Sequence, residues 1–285
     1  MKIKMIISTL ALFLMVGGPL ASQALAQEDL VMDEKPKEVK KKDGWDFLLT
    51  PGATVSFSDN RKVVGQLEGY SLTVGANLAA GTFFRSGDHQ FRSTLDITEA
   101  FARTPVLDEF IKSTDIFKFE AIYLYSIMDW LGPFARFRLS TNMFEGFAHR
   151  PEFFRWQVTY QDGATETSTA RKLRLTDGFA PLDIRESIGF FASPIAEKTH
   201  NLEIRVGFGG LHLLADDQLA LTDDGATEDT VEVSELASFN QAGAEIGLSF
   251  FGELYEKRII YKAGAEFMIP FIYDLEEGDD RGIAD

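Results

Sequence analysis

Cysteine is absent from the 285-residue sequence. This absence excludes disulfide frameworks, thiolate metal sites, cysteine nucleophiles and lipid anchors attached to cysteine. Basic residues are also scarce, because 28 Lys and Arg stand against 44 Asp and Glu, which gives a formal charge of −16. A nucleic-acid partner requires a basic face that meets phosphates, so the composition predicts that this protein binds no nucleic acid.

Long apolar runs are confined to the N-terminus. Residues 6–16 form an apolar run that follows Lys2 and Lys4, and residues 24–26 read Ala-Leu-Ala, a small-x-small cleavage site. This pattern predicts a secretory signal peptide over residues 1–26. An uncleaved membrane anchor is the alternative, but the run is shorter than the roughly 20 apolar residues of a spanning helix.

The next segment, residues 27–44, is charged and has no apolar period, which predicts a solvated linker. Its three lysines at 40–42 leave binding to an anionic surface open. No later stretch approaches 18 consecutive apolar residues, so the sequence predicts no transmembrane helix. We expect residues 45–285 to form one domain.

Alternation of apolar and polar residues dominates this domain. Residues 117–125 place five apolar side chains on one face of a strand, with Lys118 and Glu120 on the other. Segment 182–191 fits less well, because Glu186 falls on the apolar face. The pattern predicts nine strands, at about 52–58, 70–84, 89–102, 115–128, 133–145, 182–193, 200–214, 239–252 and 258–272.

The predicted strands are longer than the five or six residues common in soluble sheets, and their length matches the roughly 9–11 residues that cross a bilayer at a tilt. Aromatic residues gather near the strand ends, as in the interfacial girdles of outer-membrane barrels. The sequence therefore predicts an all-β fold, a transmembrane antiparallel up-and-down β-barrel in the bacterial outer membrane. A soluble sandwich or barrel, with the apolar face as its core, is the alternative.

The connections between the predicted strands alternate in length. Short turns alternate with long segments at 59–69, 103–114, 146–181 and 215–238, as in barrels with short periplasmic turns and long external loops. Bacterial barrels have an even number of strands, so nine evident strands predict a final strand that is missing and about ten in total. On this interpretation the chain is truncated after an acidic tail. If the hairpin at 152–176 also spans, the total becomes 12.

Two sequence blocks carry a family resemblance. They are SLTVGANLAAGTFFRSGDHQFRSTLDITEAF and STDIFKFEAIYLYSIMDWLGPFARFRLSTNMFEG, within residues 52–145, and RESIGFFASPIAEKTHNLEIRVGFG also fits. The chain resembles a family of uncharacterised bacterial outer-membrane β-barrels that carry a domain of unknown function. The resemblance implies location and architecture, and it supplies no catalytic residues.

Charges of both signs alternate with the apolar residues, and in a barrel they point into the lumen. Mixed charges in a narrow lumen would pair and close it, which predicts a structural or passive protein. A narrow small-solute pore with a charged lumen is the alternative. The candidate lumen charges are Arg92, Asp96, Lys118, Glu120, Arg136, Arg138, Glu203, Arg205, Glu245, Lys262 and Glu266.

Enzyme motifs are absent: no HExxH, GxSxG, P-loop or Rossmann pattern occurs. We therefore expect no enzyme, no cofactor and no metal site. A hydrolase that uses His212 with Asp216 and Asp217 near the outer rim stays open as an alternative. Loop 215–238 is acidic, and we expect it to be solvated, with calcium bridging to lipopolysaccharide as a further hypothesis. The expected partners are outer-membrane lipid, lipopolysaccharide and the outer-membrane assembly machinery.

Overall fold

The structure is a computed structural model that describes residues 43–62, 67–197, 199–223, 225, 227, 229–254 and 259–274. The predicted signal peptide, nearly all of the predicted linker and the acidic tail lie outside the described residues. The described chain is all-β. Within it, no helix has the length and apolar content needed to cross a membrane.

Thirteen strands make up the described fold. They are β1 Gly44–Asn60, β2 Gly69–Ser86, β3 His89–Thr104, β4 Leu107–Tyr125, β5 Leu131–Thr141, β6 Gly146–Thr159, β7 Thr165–Thr176, β8 Leu182–Ala196, β9 Asn201–Leu214, β10 Leu219–Leu221, β11 Thr230–Glu235, β12 Phe239–Leu254 and β13 Ile259–Asp274. Nine of them form one antiparallel sheet in the order β1-β2-β3-β4-β5-β8-β9-β12-β13. Each predicted strand overlaps one of these nine, so the up-and-down order is confirmed.

Two predicted boundaries are wrong. The first strand begins at Gly44 and pairs along its whole length with β2, whereas the sequence predicted residues 52–58. The long connection predicted at 103–114 is mostly strand, because β3 ends at Thr104 and β4 begins at Leu107. Backbone pairing in this hairpin continues past the region where apolar alternation is clear, so the alternation pattern underestimates the strands' length.

The two faces of the large sheet differ in their exposure to solvent. Residues paired across neighbouring strands point to the same face, and register places Phe208 beside Ile188 and Arg205 beside Phe191. The apolar face is exposed, with Phe208 67% and Ile188 66% accessible, whereas Arg136 and Arg205 are buried on the other face. In the described chain the apolar face of this sheet is therefore the accessible one.

A second, four-stranded sheet has the order β10-β11-β6-β7 and is built from two long connections. Strand β11 pairs in parallel with β6, so Val231 faces Trp156 and Val233 faces Val158. These four side chains are buried and form its core. The hairpin predicted at 152–176 is present, but it belongs to this small sheet and does not extend the large one.

The expectation that residues 215–238 form a solvated loop is wrong for its strand segments. Val231 and Val233 are buried. Ala215 and Gln218, at the start of the segment, are buried as well. The acidic composition masked a short Val-x-Val strand whose apolar residues cover Trp156.

The large sheet has two edges, β1 and β13, and within the described residues no backbone pairing joins them. Eight successive antiparallel steps separate β1 from β13, so the two strands run in the same direction. Both run away from the end of the sheet at which β2 turns into β3. The nine strands that the sequence predicts are the nine that this sheet pairs, and the described residues do not test the tenth strand expected beyond them.

Candidate functional site

The register places the eleven predicted lumen charges on one face of the large sheet, opposite the exposed apolar face. Some of them are neighbours on adjacent strands: register places Asp96 beside Lys118 and Glu120 beside Arg138. The Arg138 guanidinium donates to the Glu120 carboxylate at 3.0 Å through Nε and lies 2.9 Å from it at Nη2. Opposite charges on adjacent strands thus neutralise one another along this face.

Arg136 on β5 is the centre of the network. Its Nη2 donates to Oε1 of Glu245 at 2.6 Å, its Nε donates to Oγ of Ser187 at 3.3 Å, and its Nη1 donates to Oε1 of Glu266. Only 3% of its side chain is accessible. A buried guanidinium is tolerated when carboxylates and further acceptors surround it, and Arg136 has both.

Glu266 on β13 collects arginines from two distant strands. Besides Arg136, its Oε1 accepts from Nη2 of Arg205 at 3.3 Å, and its Oε2 lies 3.4 Å from Nη1 of Arg138. Strands β8, β9 and β12 separate β5 from β13 in the sheet. Side chains on these strands can meet only if the sheet curls with its charged face on the inside.

A second ion pair requires the same curvature. Nη2 of Arg92 on β3 lies 3.4 Å from Oε2 of Glu203 on β9, and strands β4, β5 and β8 lie between them. In both pairs the partners are four strand steps apart. The charged face is therefore concave, and we call the eight residues of the network the concave cluster: Arg92, Glu120, Arg136, Arg138, Glu203, Arg205, Glu245 and Glu266.

Glycine makes room for this cluster. A Cβ atom at Gly209 would lie 2.6 Å from Oε2 of Glu245, and one at Gly247 would lie 3.3 Å from Nε of Arg205. The long charged side chains thus lie flat over strands that carry no side chain at these positions. This explains why the polar faces of β9 and β12 are rich in glycine, a feature that the alternation pattern alone leaves unexplained.

An apolar group adjoins the concave cluster. Ile122, Leu124, Phe134 and Phe191 are buried together near the short-turn end of β4, β5 and β8. Register places Ile122 directly beside Arg136 and Phe191 beside Arg205. These side chains shield one side of the ion pairs from water, which strengthens the electrostatic attraction within them.

His212 contacts residues other than those predicted. Its Nε2 lies 2.7 Å from Oε1 of Glu186, and its Nδ1 lies 2.7 Å from Oδ1 of Asn240. Asp216 instead accepts a hydrogen bond from Oγ of Ser238 at 2.5 Å. The described contacts of His212 bring a carboxylate and an amide to the ring and no hydroxyl nucleophile, so they do not assemble the hydrolase site considered above.

Two further groups were missed by sequence reasoning. Asp115 accepts hydrogen bonds from the backbone N–H groups of Met143 and Phe144, at 2.7 and 2.9 Å, and so anchors the start of the long connection after β5. Tyr160 in the small sheet donates to Glu166, and this hydrogen bond raises the pKa of the Tyr160 phenol. The Asp115 contacts join segments 28 and 29 residues apart, whereas Tyr160 and Glu166 flank one hairpin turn.

Within the described part of the chain, no group of three or more His, Cys, Asp or Glu side chains is placed to hold a metal ion. Comparison with protein-family models, with curated proteins and with solved structures gives no match to this chain.

Proposed function

We propose that this chain is an integral outer-membrane β-barrel protein with a structural or passive role, whose interior is closed by paired charges. The observation that carries the proposal is the exposed apolar face of the large sheet. Soluble monomers rarely expose contiguous apolar patches above a few hundred Å². Here apolar side chains are exposed on one strand after another, among them Phe137, Ile188, Phe208, Ile246 and Phe267. Lipid is the solvent that suits this face.

The height of the apolar face supports the proposal. On β4 the apolar outward positions run from 117 to 125, and on β9 they run from 202 to 210, about nine residues in each case, which suits strands that cross a bilayer. Away from the turn between β4 and β5, the first polar residues on this face are Asp115 on β4 and His212 on β9. We take these apolar stretches as the membrane-spanning segments.

Aromatic residues at the short-turn end match an interfacial girdle. Trp45 on β1 lies against Phe84 on β2 with ring centroids 4.6 Å apart, and Phe250 on β12 lies 5.2 Å from Tyr261 on β13. Trp130 is exposed in the turn between β4 and β5. Amphipathic rings at this level favour the boundary between hydrocarbon and water.

The curvature of the sheet supports closure into a barrel. Side chains four strand steps apart meet across the concave face, so half a turn of the sheet takes about four to five strands and a full turn about eight to ten. In lipid, the backbone groups at the edges of β1 and β13 require partners, which is a further reason for closure. The predicted signal peptide and the resemblance to outer-membrane barrels support the location.

The concave cluster favours a closed interior over an open pore. It contains four arginines and four glutamates, so its charges balance, and the Arg136 side chain is almost wholly buried. Lipid and lipopolysaccharide would contact the apolar face, and the assembly machinery of the outer membrane would insert the chain. A catalytic role has no comparable support.

Fractionation of the natural host, followed by gel electrophoresis with and without boiling, tests the proposal. We expect the protein in the outer-membrane fraction, with a mobility that changes on boiling because a closed barrel resists detergent. Recovery in the soluble periplasm would overturn membrane insertion. Recovery in the membrane with the same mobility before and after boiling would overturn closure of the barrel.

A further inference from the structure

Three side chains that donate hydrogen bonds lie together on the concave face, beside the turn between β2 and β3. Register pairs Arg85 on β2 with Gln90 on β3, and Arg92 lies two residues further along β3 on the same face. Because Arg92 is paired with Phe83, Arg85 and Arg92 are diagonal neighbours, with Cα atoms about 7–8 Å apart. We call Arg85, Gln90 and Arg92 the donor group.

Arg85 has no carboxylate of its own. Among the residues that the structure describes, no ion pair involves it, and its guanidinium lies over the ring of Phe83, 5.8 Å from the centroid. Asp46 on β1 is opposite Phe83 on the same face, but it is exposed to solvent. The Nε atom of Arg85 is buried and has no hydrogen-bond partner in the described chain. A buried donor without an acceptor is costly, so it requires one from outside these contacts.

Arg92 is only partly compensated. Its Nη2 lies 3.4 Å from Oε2 of Glu203, whose Oε1 lies 3.8 Å from Nε of Arg205. One carboxylate is thus divided between two arginines. The Nε atom of Arg92 is buried and, within the described residues, lacks a hydrogen-bond partner, as Nε of Arg85 does. The donor group therefore carries more positive charge than the carboxylate in contact with it.

Apolar side chains border the donor group. Register places Leu124 beside Gln90 and Ile122 beside Arg92, and both are buried. Water is therefore kept from this side of the two guanidinium groups. An anion beside them would be attracted more strongly than at an open surface, because the surroundings screen the charges less.

We propose that the donor group binds a phosphate-type oxyanion. A guanidinium binds an oxyanion through two parallel N–H groups, and a tetrahedral anion offers oxygens to both arginines, with the Gln90 amide as a further donor. All three residues belong to one paired hairpin, so the site requires no movement of a strand. Binding uses only contacts within the sheet and goes beyond the proposed function. In the orientation expected from the loop lengths, the anion would enter from the periplasm.

Calorimetric titration with inorganic phosphate tests the site. The full chain is used in a detergent without phosphate, at an ionic strength held constant with sodium chloride. We expect saturable binding of one phosphate per chain. Arg85→Gln removes the charge and the paired N–H groups, and it should weaken binding by about tenfold or more. A wild type without saturable binding, or equal binding by wild type and variant, would overturn the site.

The matched control is Arg185→Gln, which removes the same charge from the same face. Arg185 has its own carboxylate, since its Nε and Nη2 each lie 3.1 Å from an oxygen of Asp183. We expect this variant to bind phosphate as tightly as the wild type. Equal weakening by Arg85→Gln and Arg185→Gln would show that only net charge matters and would overturn the site.

Glycerol phosphate is titrated in parallel, because a lipid headgroup carries the same phosphate group on an ester. The donor group lies on the concave face and not on the apolar one, so we expect inorganic phosphate to bind. Binding of the ester without binding of inorganic phosphate would overturn a free oxyanion as the ligand.

Each protein is also examined by gel electrophoresis with and without boiling, so that the site and the barrel fail separately. A wild type whose mobility changes on boiling but which binds no phosphate overturns the site alone. A wild type that binds phosphate without a change in mobility overturns closure alone. If Arg85→Gln loses the change, Arg85→Lys, which keeps the charge but not the planar pair of N–H groups, replaces it. We expect clearly weaker binding, and unchanged affinity overturns the site.

Discussion

At the residue scale, the clearest feature is a charge that is buried because its partners are buried with it. Arg136 donates to Glu245 and Ser187 and contacts Glu266, and Ile122 lies beside it. Removing one member of such a network leaves the others buried without compensation, which costs more than the network contributes when intact. The concave cluster is therefore expected to respond to substitution as a unit.

We expect Arg136→Ala to lower the free energy of unfolding by about 3–5 kcal/mol, because Glu245 stays buried without its cation. Arg174→Ala is the matched control, since Arg174 pairs with Asp177 at 2.7 Å with both side chains about half accessible. Such exposed pairs contribute about 0–1 kcal/mol. Urea unfolding of the protein in vesicles or detergent measures both changes, and similar losses for both variants would contradict the argument.

A second residue-scale prediction concerns glycine. Gly209→Ala places a Cβ atom 2.6 Å from Oε2 of Glu245 and should displace the carboxylate from Arg136. Gly264→Ala is the matched control on the same face, because its Cβ atom would meet only the backbone oxygen of Leu248, at 3.4 Å. We expect Gly209→Ala to unfold at a clearly lower urea concentration than the wild type and Gly264→Ala to unfold near it. The reverse order would show that the glycines do not serve to accommodate the cluster.

At the element scale, the small sheet is a unit with its own core. The indole of Trp156 is fully buried, donates to the backbone oxygen of Ala170 at 2.9 Å and packs against Val231 and Val233 of the second connection. Two segments far apart in the chain are thus joined by one parallel pairing and a few apolar contacts. We expect this unit to loosen without disturbing the large sheet.

Trp156→Ala should lower the free energy of unfolding of the small sheet by about 3–5 kcal/mol, as large-to-small substitutions of buried aromatic residues do. Limited proteolysis of the full chain should then cut within residues 160–165 or 215–238 much faster, while the mobility change on boiling is retained. Phe153→Ala, on the same strand and 72% accessible, is the control and should leave the cleavage rate near that of the wild type. Loss of the mobility change with Trp156→Ala would show that the two sheets are not independent.

At the scale of the whole molecule, the exposed apolar face is the basis of the proposed lipid environment. Phe208 is 67% accessible on this face, two residues from the midpoint of the proposed spanning stretch 202–210. An arginine at the bilayer midplane of a barrel costs about 2–4 kcal/mol, whereas an exposed arginine in water costs almost nothing. Phe208→Arg should therefore lower the free energy of unfolding in vesicles by about that amount. Phe153→Arg in the small sheet should have little effect, and equal effects for the two would contradict membrane insertion.

Strand positions follow from local information, which is why the sequence predicts them well. Alternation places successive side chains on opposite faces whatever the strand pairs with, so all nine strands of the large sheet and the hairpin at 152–176 are visible in the sequence. Short strands are not, because β10 and β11 have too few residues to show a period. Glu186, the exception on the apolar face, is explained by His212, which contacts it from the neighbouring strand.

The list of concave charges could likewise be read from the sequence, since alternation places Arg136 and Glu266 on the polar face. Which of them meet could not, because the two residues are 130 positions apart and their contact depends on the curvature of the whole sheet. The same holds for the parallel pairing of β11 with β6 and for the open edges at β1 and β13. Local periodicity thus established strands and faces, whereas partners, curvature and closure are properties of the tertiary fold, because they arise only between segments that are distant in the chain.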